Sequence, residues 1–525
     1  MGLLSGLFDL MTAVTDYTVL ENRYGNFMVP AFKIKSSGID LISTLDLTVT
    51  ELRVTLSQIE RRMDCADFMT CALIRLMKEY DLPEEILPEI KRVMLSFRYW
   101  MDEPGQDGMC FWSENHTMMF FQTAYFFGEL WPEETFTRSG LTGAQLRARA
   151  KTRLREWLEE VCAHGFDEFN SGVYSPITFS ALLNVVDYAE PELSRLAWRA
   201  CDGILRMMAL HCFKNVVISP EGREYHGVLA PWRGSLQALV QWVRPEAPYV
   251  YDEWLSPLAT TRYRMPEDLE ALMDRTGAFT YESDNAVIEL YKTADYALTS
   301  VQSPRRDGRT RVWQPDEREQ ARDHFIYVKS LNEHFHGTTE FQPGEFGYQQ
   351  HLWNAALAQD LVVFVNHPGQ SCEAMSEVRP GYWYGNGILP ALRQEKNVLG
   401  AVYAIPQSYP IRFTHLYWDS AKFDEQISEG GWLLGRRGES YIGVWCNVPL
   451  ADHDDVMFGC EKRANAAITA WLTVCGSQAE QGSFPAFCRD CLGRAVEFDE
   501  AALTLTCAEF TLQSTPGQNG TQIVE

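Results

Sequence analysis

Two periods of apolar residues divide this chain. From about Ser43 to Val243 they recur at helical spacing almost without a break. Leu146, Ala150, Leu154, Trp157, Leu158 and Val161 share one face of a predicted helix, and Gly165 follows as a C-terminal stop. Pro191 opens another, with Leu193, Leu196, Ala200, Ile204, Met207 and Met208 on one side. A third begins after Ser113, a good N-cap, and runs through Met118, Phe121, Ala124, Tyr125 and Gly128. The turns between these helices are short, so neighbours should run antiparallel. With no fixed-period repeat, successive helical hairpins predict an incomplete (α/α) toroid rather than a solenoid.

Between residues 244 and 277 four prolines (Pro245, Pro248, Pro257, Pro266) interrupt the pattern, and a short helix closes the segment. After it, short β-branched or aromatic runs dominate: 286–291, 360–365, 398–403 and 440–445, bounded by Gly, Pro, Asn and Asp. Residues 462–472 read as one late helix. Such a series of strands predicts an antiparallel β-sandwich. The fold class is therefore α+β and multidomain: a helical toroid domain over 1–243, a linker over 244–277, a sandwich over 278–513 and a disordered polar tail over 514–525.

Composition narrows the function classes. A net charge of −25 argues against nucleic acid, which needs a broad basic face. No apolar run is long enough to span a bilayer, and Met1–Val14 makes a poor secretory signal, with no Lys or Arg ahead of it and Asp9 within it. The 13 cysteines are odd in number and scattered, which reads as reduced core thiols in a cytoplasmic protein. Cys488 and Cys491 form a lone CxxC, a weak signal. Oligomeric state is not readable from the chain.

Candidate chemistry centres on Phe111-Trp112-Ser113-Glu114-Asn115-His116-Thr117. Asn115 and His116 fall in a first helical turn, where N–H groups and the dipole favour an anion. Two further polar loops lie in the same half: His164 to Tyr174, which contains Asp167, Glu168 and Asn170, and Gly222-Arg223-Glu224-Tyr225-His226. Loops at one end of a barrel of helical hairpins can converge on a cleft.

An amide, an imidazole, a tyrosine and an arginine together suit β-elimination from a uronic acid. Removing the proton beside a carboxylate adds a second negative charge. Asn115 and His116 donating to that carboxylate would stabilise the enolate-like transition state. Tyr174 is then base or acid, and a phenolate with an ordinary pKa of about 10 needs a cation such as Arg223 or charged His116. In plainer readings Asn115 caps a helix, His116 bonds within the core, Tyr174 packs and Arg223 pairs with Glu224.

The Asn-His pair at a helix start, with a tyrosine 58 residues past His116, resembles the heparinase II/III and oligoalginate lyase group. That resemblance implies an (α/α) toroid ahead of an antiparallel sandwich. It also implies a neutralising Asn or Asn-His pair and a catalytic tyrosine. Gly347 to Ala355 and Phe364 to Gly369 are similar to that group's His- and Asp-rich sheet segment. The similarity implies a structural zinc held by His351, His367 and His415, and a second catalytic tyrosine at Tyr384. Two positions depart from the group's pattern: His367 stands where Asp is usual, and Gln349 where a histidine is usual.

The expectation is a polysaccharide lyase, exo-acting on imported acidic oligosaccharides, with no nucleic-acid or membrane partner. Asn115, His116, Tyr174, Arg223 and Tyr384 are its catalytic set, and Glu114, Glu168, Asn170, Tyr225 and Trp383 its substrate contacts. The alternatives are a glycoside hydrolase using Glu114 with Glu168 or Asp167, and a carbohydrate-binding relative without catalysis.

Overall fold

The computed structural model describes strands Tyr17–Leu20, Phe32–Lys35 and Gly38–Leu41, then residues 49–515 apart from 80, 112, 235, 248–256, 259, 285, 303–321, 326–327, 329–342, 345–346, 348, 372–379 and 454–458. The candidate signal at Met1–Val14, Trp112, part of the linker and the tail from 516 onward lie outside the described residues.

Helices occupy the first half: α1 (Val49–Glu60), α2 (Ala66–Glu79), α3 (Leu87–Leu95), α4 (Glu114–Leu130), α5 (Gly143–His164), α6 (Tyr174–Tyr188), α7 (Pro191–His211) and α8 (Leu236–Val243). Their ends follow the sequence signals. Thr142 and Gln145 close a reciprocal capping box at the start of α5, and Gly165 ends that helix at φ +82°, a conformation that suits glycine. Pro191 opens α7 at a position whose N–H would be unpaired in any case. One apolar cluster joins these helices, running from Leu52 to Val243 and on to Tyr263 and Phe325. A short helix, α9 (Leu269–Asp274), leads into the strands.

The second half holds two large antiparallel sheets. The first contains eight strands: β1 (Gly277–Ser283), β2 (Ala286–Lys292), β3 (Ala297–Gln302), β4 (Trp353–Ala358), β5 (Leu361–Asn366), β8 (Thr414–Tyr417), β12 (Leu450–His453) and β13 (Glu461–Ala464). The second contains six: β6 (Ala391–Glu395), β7 (Val398–Ala404), β9 (Glu425–Glu429), β10 (Trp432–Arg437), β11 (Ser440–Cys446) and β14 (Ile468–Ser477). The spatial orders are β12-β13-β8-β5-β4-β3-β2-β1 and β6-β7-β14-β11-β10-β9. Apolar residues of both sheets, Leu298 and Val363 with Leu399 and Trp471 among them, meet in one buried cluster.

The four expected strands are present within a residue or two. The expected helix at 462–472 is not: that stretch is β13, a turn and β14. Thr469 to Ser477 is buried on both strand faces, so its apolar run lacks the alternation that separates a strand from a buried helix. The late helices are Gln478–Gln481 and Phe484–Leu492. The second carries Cys488 and Cys491 against an apolar cluster with Leu434 and Trp432. Among the described residues no helix is long and apolar enough to cross a membrane.

Candidate active site

Loops of the helical half bring Asn115, Tyr174 and Arg223 together. Asn115 sits in the first turn of α4, and Tyr174 starts α6. Arg223 lies in the segment after α7, whose backbone joins the first sheet: Glu221 and His351 exchange N–H to carbonyl bonds, and Glu224 N–H donates to Gln349 O. Ser171 ties this segment to α6, since its Oγ donates to Arg223 O at 2.6 Å and accepts from Tyr174 N–H.

Arg223 organises the cluster. Its Nη1 donates to Glu168 Oε1 at 2.8 Å and to Asn115 Oδ1 at 3.0 Å. Its guanidinium carbon lies 3.7 Å from the centre of the Tyr174 ring. A guanidinium can only donate, so the Asn115 amide oxygen faces it, and Ser113 Oγ donates to the same oxygen. Ser113 thus holds the N-cap position, but its hydroxyl serves Asn115. The Asn115 NH2 is fully buried and has no hydrogen-bond partner among the described residues.

Tyr174 Oη lies 2.7 Å from Tyr225 Oη, and the Tyr225 ring is 5.6 Å from that of Tyr384. Tyr174 and Tyr384 are buried, whereas Tyr225 is half-exposed. Burial raises the Tyr174 phenol above its ordinary range, and Arg223 only partly opposes this. Tyr174 therefore rests protonated. The expected phenolate is not the ground state, because burial outweighs the pull of Arg223.

The other expected residues are placed as follows. His116 turns to α2, with Nδ1 2.7 Å from Asp67 Oδ2 and the ring stacked on Phe68. Glu168 Oε2 accepts from Asn115 N–H, and Glu114 Oε2 accepts from Glu168 N–H. Both carboxylates hold backbone N–H groups, and Glu168 also holds Arg223. Asn170, at φ +52°, bonds Tyr281 on β1. Trp383, expected to touch substrate, is only 1% exposed and stacks flat on His415 at 3.9 Å.

Each of the three histidines expected to bind zinc has a different partner: His351 bonds Asn354, His367 bonds Ile411 O and His415 bonds Glu461. Among the described residues no three His, Cys, Asp or Glu side chains gather as a metal site.

Sequence reasoning missed Asp67 and Glu221. Asp67 is a lone carboxylate in the first turn of an apolar helix, which was the available signal. Arg223 does not pair with its neighbour Glu224. Instead the Glu224 carboxyl group lies beside the same glycine, Gly172, as that of Glu221, and both are buried. No protein-family model matches the chain, and a search of the curated proteins returns no match.

Proposed function

We propose that the protein is a lyase that cleaves uronic-acid-containing oligosaccharides by β-elimination, on a helical toroid joined to a β-sandwich. The observation that carries this reading is the Asn115 amide. Arg223 and Ser113 fix its oxygen, leaving a buried NH2 without a partner among the described residues. Such a group costs about 1–3 kcal/mol unless a ligand satisfies it, and a sugar carboxylate oxygen is a suitable acceptor. The same Arg223 stacks beneath a protonated tyrosine.

In this mechanism Asn115 donates to the uronate carboxylate as charge builds on it. His116 takes the C5 proton on Nε2, the ring nitrogen that Asp67 leaves available. The C4–O bond then breaks, its electron pair goes to the leaving oxygen, and Tyr174 protonates that oxygen. A C4–C5 double bond remains in the sugar. Of the two roles the sequence left open for Tyr174, its burial supports the acid. Tyr225 and Tyr384 line the same side.

The test is an ultraviolet assay for unsaturated uronate on glycosaminoglycan, alginate and glucuronan oligosaccharides. Wild-type protein should generate the absorbance, and Tyr174→Phe should lower turnover about 10²-fold or more. Reducing sugar released without the absorbance would indicate hydrolysis instead. Binding with no turnover would leave only a carbohydrate-binding role.

A further inference from the structure

Glu221 and Glu224 are both buried, and their carboxyl groups flank the same point of the Gly172 loop. Two buried carboxyl groups set that close avoid opposing charges only if one of them carries a proton. Glu224 accepts from Tyr225 N–H at 2.7 Å, as a carboxylate does. Glu221 accepts from Gly172 N–H at 2.7 Å through Oε2, so its other oxygen can carry the proton.

Gly172 lies two residues before Tyr174. A Cβ there would stand 3.2 Å from Glu224 Oε2 and 3.3 Å from Glu221 Oε2, so the loop passes directly over both carboxyl groups. On the far side, the backbone of Glu221 and Glu224 bonds His351 and Gln349 beside the sheet.

We propose that Glu221 and Glu224 share one proton and act as positioning residues, clasping the Gly172 loop so that the Tyr174 hydroxyl is held at Tyr225 and over Arg223. The assignment of Tyr174 as the acid rests on the lyase reading, but the clasp itself does not.

The surrounding charges do not replace the proton. Arg223 is engaged with Glu168 and Asn115, and the hydroxyls of Tyr174 and Tyr225 bond each other. From the sheet side, the His351 imidazole bonds Asn354 and is neutral in its burial. A second ionisation would set two buried carboxylates against one another. Glu221 holds its proton far above the usual carboxylate range, burial first and Glu224 second. The unfolded chain loses that proton in the ordinary range, so stability falls as pH rises from there toward the folded value.

Glu221→Gln tests this directly, because a glutamine can accept from Gly172 N–H and donate to Glu224 without titrating. Thermal unfolding between about pH 6 and about pH 9 should show a midpoint that falls in wild type and falls by at least about 2 °C less in Glu221→Gln. Glu221→Gln should keep at least half of wild-type turnover at neutral pH and extend the alkaline limb upward, whereas Glu221→Ala should lose about 10-fold or more. Equal pH slopes in wild type and Glu221→Gln would overturn the shared proton. Equal losses in Glu221→Gln and Glu221→Ala would overturn the clasp. If wild type turns over no uronate, the lyase reading fails, while the unfolding series still decides the shared proton.

Discussion

Asp67 has only its partner to justify its place. Its carboxylate is wholly buried at the start of α2, and burial raises its pKa against the opposing pull of His116. Removing one member of such a pair strands the other, which costs about 3 kcal/mol or more. Asp67→Ala should therefore destabilise the protein by about that amount in urea titrations. Asp67→Asn keeps a polar group beside Nδ1 but loses the carboxylate that orients the ring and fixes the hydrogen on Nδ1. It should fold nearly normally, yet lower turnover about 10-fold or more. An Asn variant with wild-type turnover would remove His116 from the base role. Asn115 was legible because an amide in a first helical turn is a local signal. The Asp67–His116 contact was not, since 49 residues separate the two and only packing of α2 against α4 brings them together.

At the scale of elements, the site depends on which helix ends come together. Asp67, Asn115 and Tyr174 occupy the first turns of α2, α4 and α6, and these three helices pack on one another. Their spacing in the sequence announced the helices, and the caps announced their starts. The convergence of alternate N-termini needed the tertiary arrangement. The late strand β14 was misread for a related reason: burial on both faces erases the polar half of the pattern. Where α7 ends, Lys292 of β2 supplies what the sequence did not advertise. Its Nζ donates to Leu210 O, Cys212 O and Met273 O at 2.7–2.9 Å, capping the α7 C-terminus from the sheet. Lys292→Met would leave three carbonyls without that donor. We expect it to lower unfolding stability by about 2 kcal/mol, read by chemical denaturation, with the loss shared by helical and sheet signals.

At the scale of the whole molecule, the joint between helices and sheets is built from neutral polar groups that acid can charge. His211, at the end of α7, is fixed as one tautomer. Its Nδ1 faces the Ile218 carbonyl, so it must carry the hydrogen, and Nε2 accepts from Tyr281 Oη of β1 at 2.8 Å. Tyr281 in turn bonds Asn170 in the loop that leads to Tyr174. Protonating Nε2 would reverse a donor–acceptor pair inside the joint, and burial accordingly pulls His211 down to about 3. His351 and His367, inside the sheet half, are likewise pulled down to about 4. All three take up a proton on unfolding near pH 6.5 but resist it in the fold, so the unfolded state binds more protons in that window. Their contribution to stability then falls as pH drops from about 6.5 toward about 4, by about 1.4 kcal/mol per pH unit for each imidazole, against the smaller opposing slope of Glu221. Thermal unfolding should show a midpoint that declines steeply below neutrality. His211→Gln, whose side chain can still donate to Ile218 O and accept from Tyr281, should lower the neutral-pH midpoint modestly and flatten the acid slope. A slope unchanged in that variant would mean that His211 titrates normally and that the joint is open to water.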